Sequence, residues 1–397
     1  MLNYQFPTIE TIGDVLPHIQ GRTEFRVFHK DWYSVVNYVV ANPETFDWDY
    51  TDPIGSAVRR ECRGLIFDHV GNIISKSYHK FFNVGEKPET QSNKINLYQP
   101  HVILEKLDGS MIRPIPTGHG KEFRLGTKAG ITDVSMNAEV FIADKPEYTE
   151  FIEECFRINC TAIFEWCSRK NPIVIDYPED KLILTAIRAN DHGEYIRYPA
   201  MKSLAASYTI PVVKAIDGLA IQNIDLFVKQ IREWEDAEGV VIRFDDGHMV
   251  KIKADDYVLR HKSKDAISQE KNVISTIVND EVDDLIPLLT EEDAKRILAF
   301  QKVFWYCVDE LVVELESEYS FGSAQFPERK DFAVNFVGRM LQSTENKKRY
   351  IPIMYSMRSG KTAREALVAM IQKSVSSQTK IDENRWLFGN LQWNQPV

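Results

Sequence analysis

Leu104-Glu-Lys-Leu-Asp-Gly-Ser110 sets a lysine at the end of a β-type run, His101-Val-Ile-Leu104, and follows it with Asp-Gly-Ser at a turn. That order holds one amine at the mouth of a sheet, where a small molecule can approach it. A bare K-x-D-G arises by chance in roughly one in ten chains of this length, so alone it equally describes a surface hairpin turn. Its meaning depends on what surrounds it.

Downstream, Glu238-Gly-Val-Val-Ile-Arg243 puts a carboxylate and a glycine at the start of a strand. The next run, Val250-Lys-Ile-Lys253, carries two lysines at i and i+2, hence on one face. Two like charges there are unfavourable unless the face is a solvated hairpin edge or meets an anion. Upstream, Glu61-Cys-Arg-Gly64 opens a strand, and His79-Lys-Phe-Phe-Asn83 sets a cation among rings, where a lysine can simply lie over core phenylalanines. Ile163-Phe-Glu-Trp-Cys167 holds a lone acid in an apolar strand, which is costly without a partner. Taken together, Arg63, Lys80, Lys106, Glu165, Glu238, Lys251 and Lys253 fall at or near the ends of successive β-type runs. A nucleoside triphosphate needs this set: cations for phosphates, an acid for ribose hydroxyls, and one lysine as nucleophile.

Further β-type runs are Phe25 to Phe28, Leu65 to Phe67, Ile73-Ile74 and Leu182 to Leu184, with helical patterns at Ile9 to Ile19, Tyr148 to Phe156 and Ile224 to Ala237. After about Lys262 glycine becomes rare and the spacing turns helical, as in Ile297, Phe300, Phe304, Val308, Leu311 and Leu315, then Phe332 to Leu341 and Ala363 to Val375. The expected architecture is α+β: antiparallel sheets with flanking helices over residues 1–261, then an all-helical domain over 262–397.

The 397 residues suit about two or three domains, and 44% apolar with 27% charged residues excludes a mainly disordered chain. No apolar run approaches the ~20 residues of a membrane span, and Met1 to Gly21 is too polar and acidic for a signal peptide. Five cysteines without a CxxC pair fit reduced thiols, so a cytoplasmic location is expected. The net charge of −10 argues against wrapping nucleic acid through an overall positive field. A polyanion site must be built locally.

The constellation resembles the covalent lysine nucleotidyltransferases, and within them the RNA ligase 1 family of T-even bacteriophages. The shared text is ECRG (61–64), KFFN (80–83), EK-x-DGS (105–110), FEW (164–166), Asn171-Pro-Ile-Val174, Leu182-Ile-Leu184 with Arg188, Gly193-Glu-Tyr-Ile196, EG-x-V (238–241), KIK (251–253) and His261 to Ile267. The resemblance covers at least residues 61 to 290. It implies an ATP-grasp-like nucleotidyltransferase domain and an ATP-dependent RNA ligase that works through lysyl-AMP and RNA-adenylate. The substrate is expected to be single-stranded RNA or a nicked tRNA anticodon loop, repaired by a monomer in a phage-infected host, without membrane partners.

By that resemblance Lys106 is the nucleophile, Arg63 and Lys80 contact phosphates, Phe82 lines the pocket, and Lys251 and Lys253 meet the α-phosphate region. Glu165 is expected on the ribose, Glu238 on the metal or the lysine, and Val241 on the adenine. Lys128 matches a further family lysine, while Gly109 and Gly239 fit places where backbone passes close to ligand. Asp283 and Asp284 align with a pair that binds Mg2+, with Mn2+ as its substitute; a solvated acidic helix face has the same composition. The phosphate contact from residues 29–60 stays open between His29, Lys30 and Tyr33. Ser110 reads as a turn residue without triad partners, and Ser359-Gly-Lys-Thr362 as a helix start. The competing readings are a DNA ligase or capping-type enzyme, which carries an OB-fold where this chain turns helical, and an inactive nucleotide- or RNA-binding module.

Overall fold

Strands form where β-branched and aromatic residues alternate, and the described residues contain twelve of them. They are β1 (Phe25–His29), β2 (Tyr33–Tyr38), β3 (Arg63–Asp68), β4 (Ile73–Ser75), β5 (Phe82–Asn83) and β6 (His101–Glu105). The second half comprises β7 (Ser110–Pro116), β8 (Phe123–Gly126), β9 (Cys160–Cys167), β10 (Lys181–Ala189), β11 (Gly239–Phe244) and β12 (Met249–Lys253). This computed structural model describes residues 5–42, 44–118, 122–170, 172–216 and 223–393. Asn171, part of a motif quoted above, lies outside them.

Three four-stranded sheets result, ordered β1-β2-β3-β4, β10-β9-β7-β8 and β5-β12-β11-β6. Pairing is antiparallel except between β5 and β12, which run parallel. The fold is thus α+β with essentially antiparallel sheets. The second sheet buries Ile112, Leu125, Phe164, Trp166, Leu182 and Leu184 in one core with Ala138, Phe151, Ile152, Met201 and Ala205. Those last five come from the helices Asp133–Ile142, Pro146–Arg157 and Tyr198–Ala206. The third sheet buries Ile103, Val240, Ile242, Val250 and Ile252 with Phe227, Val228 and Ile231 of helix Ile224–Arg232. That helix ends five residues before the expected Ala237. The expected helix from Ile9 to Ile19 is likewise only a 3-10 turn, Ile12–Asp14, and a single α-turn, Leu16–Ile19. Pro17, the ninth residue of that range, lacks the backbone donor that a helix begun at Ile9 needs there, but fits the first turn of Leu16–Ile19.

The chain divides into two compact units, residues 1–258 and 259–397. The second is helical around Glu291–Gln325, whose Ile297, Phe300, Phe304, Val308 and Leu315 are fully buried. Thr362 caps the helix Ala363–Ser374 by accepting from Glu365 N, so Ser359-Gly-Lys-Thr362 is a helix start and not a phosphate loop. Among the described residues no helix is long and apolar enough to cross a membrane. The charge is unevenly shared. Residues 1–258 carry 29 Lys+Arg against 38 Asp+Glu, and residues 259–397 carry 19 against 20.

Candidate active site

Lys106 stands where the chain crosses from β6 to β7, strands of two different sheets, so its loop is no hairpin. Its backbone N–H donates to Gly239 O at 2.9 Å, and its Nζ lies 2.7 Å from Glu238 Oε2. The other oxygen of Glu238 lies 3.0 Å from Lys253 Nζ. One carboxylate, 4% exposed, therefore holds two lysines. Strand register explains the meeting: Gly239 pairs with Lys253, Val241 with Lys251, and Val240 with Glu105. Val240, Ile242, Val250 and Ile252 turn into the core, so Val241, Lys251 and Lys253 share the opposite face.

Burial, reinforced by the like charges of Lys106, Lys80, Lys253 and Arg63, pushes Lys251 down to about 7. Its ammonium also lies 5.6 Å from the centre of the Phe81 ring. Phe81 reaches this place because β5 runs beside β12, with Phe82 opposite Val250. On β9, Phe164 and Trp166 enter the core and Glu165 between them faces the other way. Burial pushes its carboxyl up to about 7, against the opposing pull of Lys106. A bound anion would favour the protonated form of Lys251. Affinity for sulfate, whose own charge is constant over this range, should be highest below about pH 7 and fall towards pH 9. Titration calorimetry across that range checks this, and a flat profile would count against it.

A second cation group surrounds Tyr38. Lys128 Nζ lies 4.3 Å and Lys80 Nζ 5.4 Å from its ring centre. Burial works against ionising the Tyr38 hydroxyl, yet Arg63, Lys128 and Lys80 together outweigh it and hold the group below its ordinary value. Lys80 is itself shifted down, first by burial and then by Arg63 and Lys128. Arg63 Nη1 is buried without a hydrogen-bond partner among the described residues. A buried donor left in this state is costly unless something arrives to accept from it. Gly64 makes the cluster compact: with φ +93° it passes so close to the Lys128 backbone that a Cβ would collide with Lys128 O.

Of the residues open for the phosphate contact, none joins this cluster. His29 Nδ1 is bonded to Ser34 Oγ at 2.9 Å, Lys30 is exposed, and Tyr33 is buried with its hydroxyl accepting from Ile131 N. Tyr38 is the residue that does, and only its place at the end of β2 reveals it. Asp108 was also illegible as a structural latch. Its carboxylate accepts from Val174 N and Ile175 N, both at 2.7 Å, and from the Tyr257 hydroxyl at 2.7 Å. Its N–H donates to the Tyr177 hydroxyl. Those four bonds fix the loop that carries Lys106.

Several expectations change. Phe82 is only 3% exposed and packs with Val36, Phe46 and Leu65, with Lys80 and Arg60 over its ring, so it supports cations from the core and is no pocket wall. Gly109 and Gly239 yield space to backbone: a Cβ on Gly109 would stand 2.5 Å from Trp166 O, and one on Gly239 would strike Ile252 O. Ser110 is the first residue of β7, paired with Trp166, and not part of the turn. Glu61 of ECRG is 1% exposed and bound to Arg188 at 2.6 Å, a buried ion pair away from solvent. Asp283 and Asp284 lie exposed in a single turn, Val282–Leu285, of the helical unit. Among the described residues no three His, Cys, Asp or Glu side chains cluster as a metal site.

A lysine held on a buried glutamate where the chain passes between two sheets, with further lysines and an arginine nearby, makes a concentrated cationic cluster. A family model described as RNA ligase matches residues 61–266, and one described as the C-terminal domain of T4 RNA ligase 1 matches residues 264–381. The chain belongs to this RNA ligase family. It is 27% identical over 298 residues to a putative RNA ligase of Thermovibrio ammonificans, covering 72% of this chain and 73% of that one. It is 23% identical over 280 residues to RNA ligase 1 of bacteriophage TS2126, covering 67% and 66%. A putative bifunctional polynucleotide kinase/RNA ligase of Autographa californica nuclear polyhedrosis virus is 25% identical, and the chain spans 39% of its length. Among solved structures, an archaeal ATP-dependent RNA ligase is 14% identical at a TM-score of 0.45, with 64% of each chain covered.

Proposed function

We propose that the protein joins a 5′-phosphate and a 3′-hydroxyl of RNA at the cost of ATP, through Lys106. The observation that carries this reading is the geometry at Glu238, which binds Lys106 at 2.7 Å and Lys253 at 3.0 Å beside Lys251. In the first step the Lys106 amine attacks the α-phosphorus of ATP. A phosphoramidate N–P bond forms, the bond to the bridging oxygen breaks, and pyrophosphate leaves with that electron pair. A free ammonium cannot attack, and Glu238 Oε2 is the group positioned to receive its proton. Lys251, Lys253, Lys80, Arg63 and Lys128 neutralise the phosphates and the charge that builds on the leaving group. AMP then passes to the RNA 5′-phosphate, and the 3′-hydroxyl displaces it to form the phosphodiester. Glu165 serves the ribose, where a carboxyl poised near 7 can accept or donate a hydrogen bond. Val241, beside Lys251, offers an apolar surface to the base.

Magnesium binds through few carboxylates and keeps several waters, and Asp283 and Asp284, both exposed in one helical turn, are the residues that would hold it, each with a single carboxylate. Bound there, it would supply positive charge, with Mn2+ as its substitute. The helical unit selects the RNA, a single strand or a cleaved tRNA anticodon loop. The reading extends to a monomer that repairs such ends in the cytoplasm of a phage-infected host. Incubation with α-labelled ATP and magnesium, followed by denaturing electrophoresis, tests the mechanism. A labelled protein band that transfers its label to 5′-phosphate RNA is expected, and an unlabelled band overturns the reading.

A further inference from the structure

Residues 329–364 carry nine Lys+Arg against two Asp+Glu, in a helical unit that is otherwise acidic. Arg329, Lys330, Arg339, Arg358 and Lys361 belong to that stretch, and among the described residues none of them forms an ion pair. Nearby cations do: Lys347 with Glu318, Lys348 with Glu345, and Arg364 with Asp309.

Two of the five define a corner. Helix Glu291–Gln325 ends at Phe326, and the chain turns through Pro327 into a helical run from Arg329 to Leu341. The Arg339 guanidinium lies 5.4 Å from the Phe326 ring centre. The Arg358 guanidinium, from the end of helix Glu345–Arg358, lies 5.1 Å from the Phe332 ring centre and donates to Pro327 O. Both are thus held in place by packing on rings, which leaves less freedom to lose when an anion arrives. Arg329 and Lys330 open the run, and Lys361 follows Arg358 by three residues. The acids beside them, Glu328, Asp331 and Glu365, the last of which feels the charge of Lys361, are outnumbered. Tyr355, 46% exposed, sits one helical turn before Arg358, and Phe321, 64% exposed, precedes Phe326. Between Lys330 and Arg339 the helix runs as a π-turn, Phe332–Val337, a form concentrated at functional sites.

We infer that this corner is a second RNA contact surface, separate from the nucleotide pocket. It grips phosphates with the five cations and presents Tyr355 and Phe321 to unpaired bases. Unpaired, partly preorganised cations interleaved with exposed rings are what a single-stranded or looped RNA requires. RNA is preferred to an acidic protein as the occupant because the chain belongs to an RNA ligase family. The inference rests on RNA being the substrate, and its readout is direct binding, which needs no ligation.

The test compares the full chain with the triple variant Arg329→Ala/Lys330→Ala/Lys361→Ala, which leaves the ring-packed Arg339 and Arg358 in place. Affinity for a 5′-phosphorylated hairpin RNA is measured between 50 and 300 mM salt. Each phosphate contact contributes about 0.7 to the slope of log affinity against log salt, so the variant's slope should fall by about two. Its affinity at about 0.1 M salt should drop at least tenfold. Labelling of the variant by ATP alone should match wild type, and its melting temperature should be unchanged. An unaltered slope and affinity overturn the surface even where labelling succeeds. Loss of labelling in wild type would instead overturn the ligase reading.

Discussion

Lys106→Ala is expected to abolish labelling of the protein by α-labelled ATP while leaving the fold intact. No other amine can replace it in this geometry. Lys253 is anchored on the far oxygen of Glu238, and Lys251 projects from the middle of β12 against the Phe81 ring. Lys106→Arg should behave like alanine, because guanidinium keeps the charge but stays protonated and is no nucleophile. Glu238→Gln should retain some label at a rate lowered by about a hundredfold or more, since it removes the proton acceptor and loosens two lysines at once. Label that persists in Lys106→Ala would exclude Lys106 as the nucleophile. The side chain is 21% exposed with Glu238 as its ion partner, so melting should be close to wild type and loss of label cannot be ascribed to unfolding.

The largest effect on stability is expected at the opposite kind of site. Glu61 and Arg188 are each 1% exposed and 2.6 Å apart. Arg188 also donates to Gly193 O at 2.7 Å and Ser77 O at 2.6 Å, and its guanidinium lies 4.9 Å and 4.8 Å from the Phe6 and Tyr195 ring centres. It therefore ties together three segments distant in sequence. Glu61→Gln leaves a buried cation without its counter-charge, and Arg188→Met leaves a buried carboxylate. Either should cost roughly 3–5 kcal/mol, which lowers the melting temperature by about 6–20 °C in a unit of this size. The double variant Glu61→Leu/Arg188→Met should be markedly less unstable than the two losses added, because it strands no charge. Thermal unfolding followed by circular dichroism checks all three. Additive losses would mean that the pair does not act as a unit.

Glu61 also marks the limit of motif reading. In sequence it stands two residues from Arg63, and the text ECRG presents both as one functional word. In space Arg63 joins the cations around Tyr38, whereas Glu61 goes to Arg188 in the core. Glu61 closes the helix Pro53–Glu61 and Arg63 opens β3, so the two side chains belong to different elements, and the letters alone do not say so. Phe81 and Phe82 diverge by strand alternation. The former meets Lys251, and the latter belongs to the core.

The acidic balance likewise has a structural answer. The excess acid lies in the unit that holds the cationic cluster, and the helical unit is close to neutral with its own concentrated positive stretch. Both features are local, so net charge says little about either.

Periodicity and composition by themselves determined the α+β class, the change to helices near residue 260 and the order of the lysine, arginine and glutamate motifs along the chain. These are local properties: alternation, spacing and the residue types that phosphate chemistry demands. Tertiary structure alone decided which of them meet. Parallel pairing of β5 with β12 brings Phe81 to Lys251, while Gly64 lets Lys128 approach Arg63 and Tyr38. Glu238 selects Lys106 and Lys253 as its partners because strand register sets them on either side of one buried carboxylate. Register and close approach depend on contacts between residues far apart in sequence, and no window along the chain contains them.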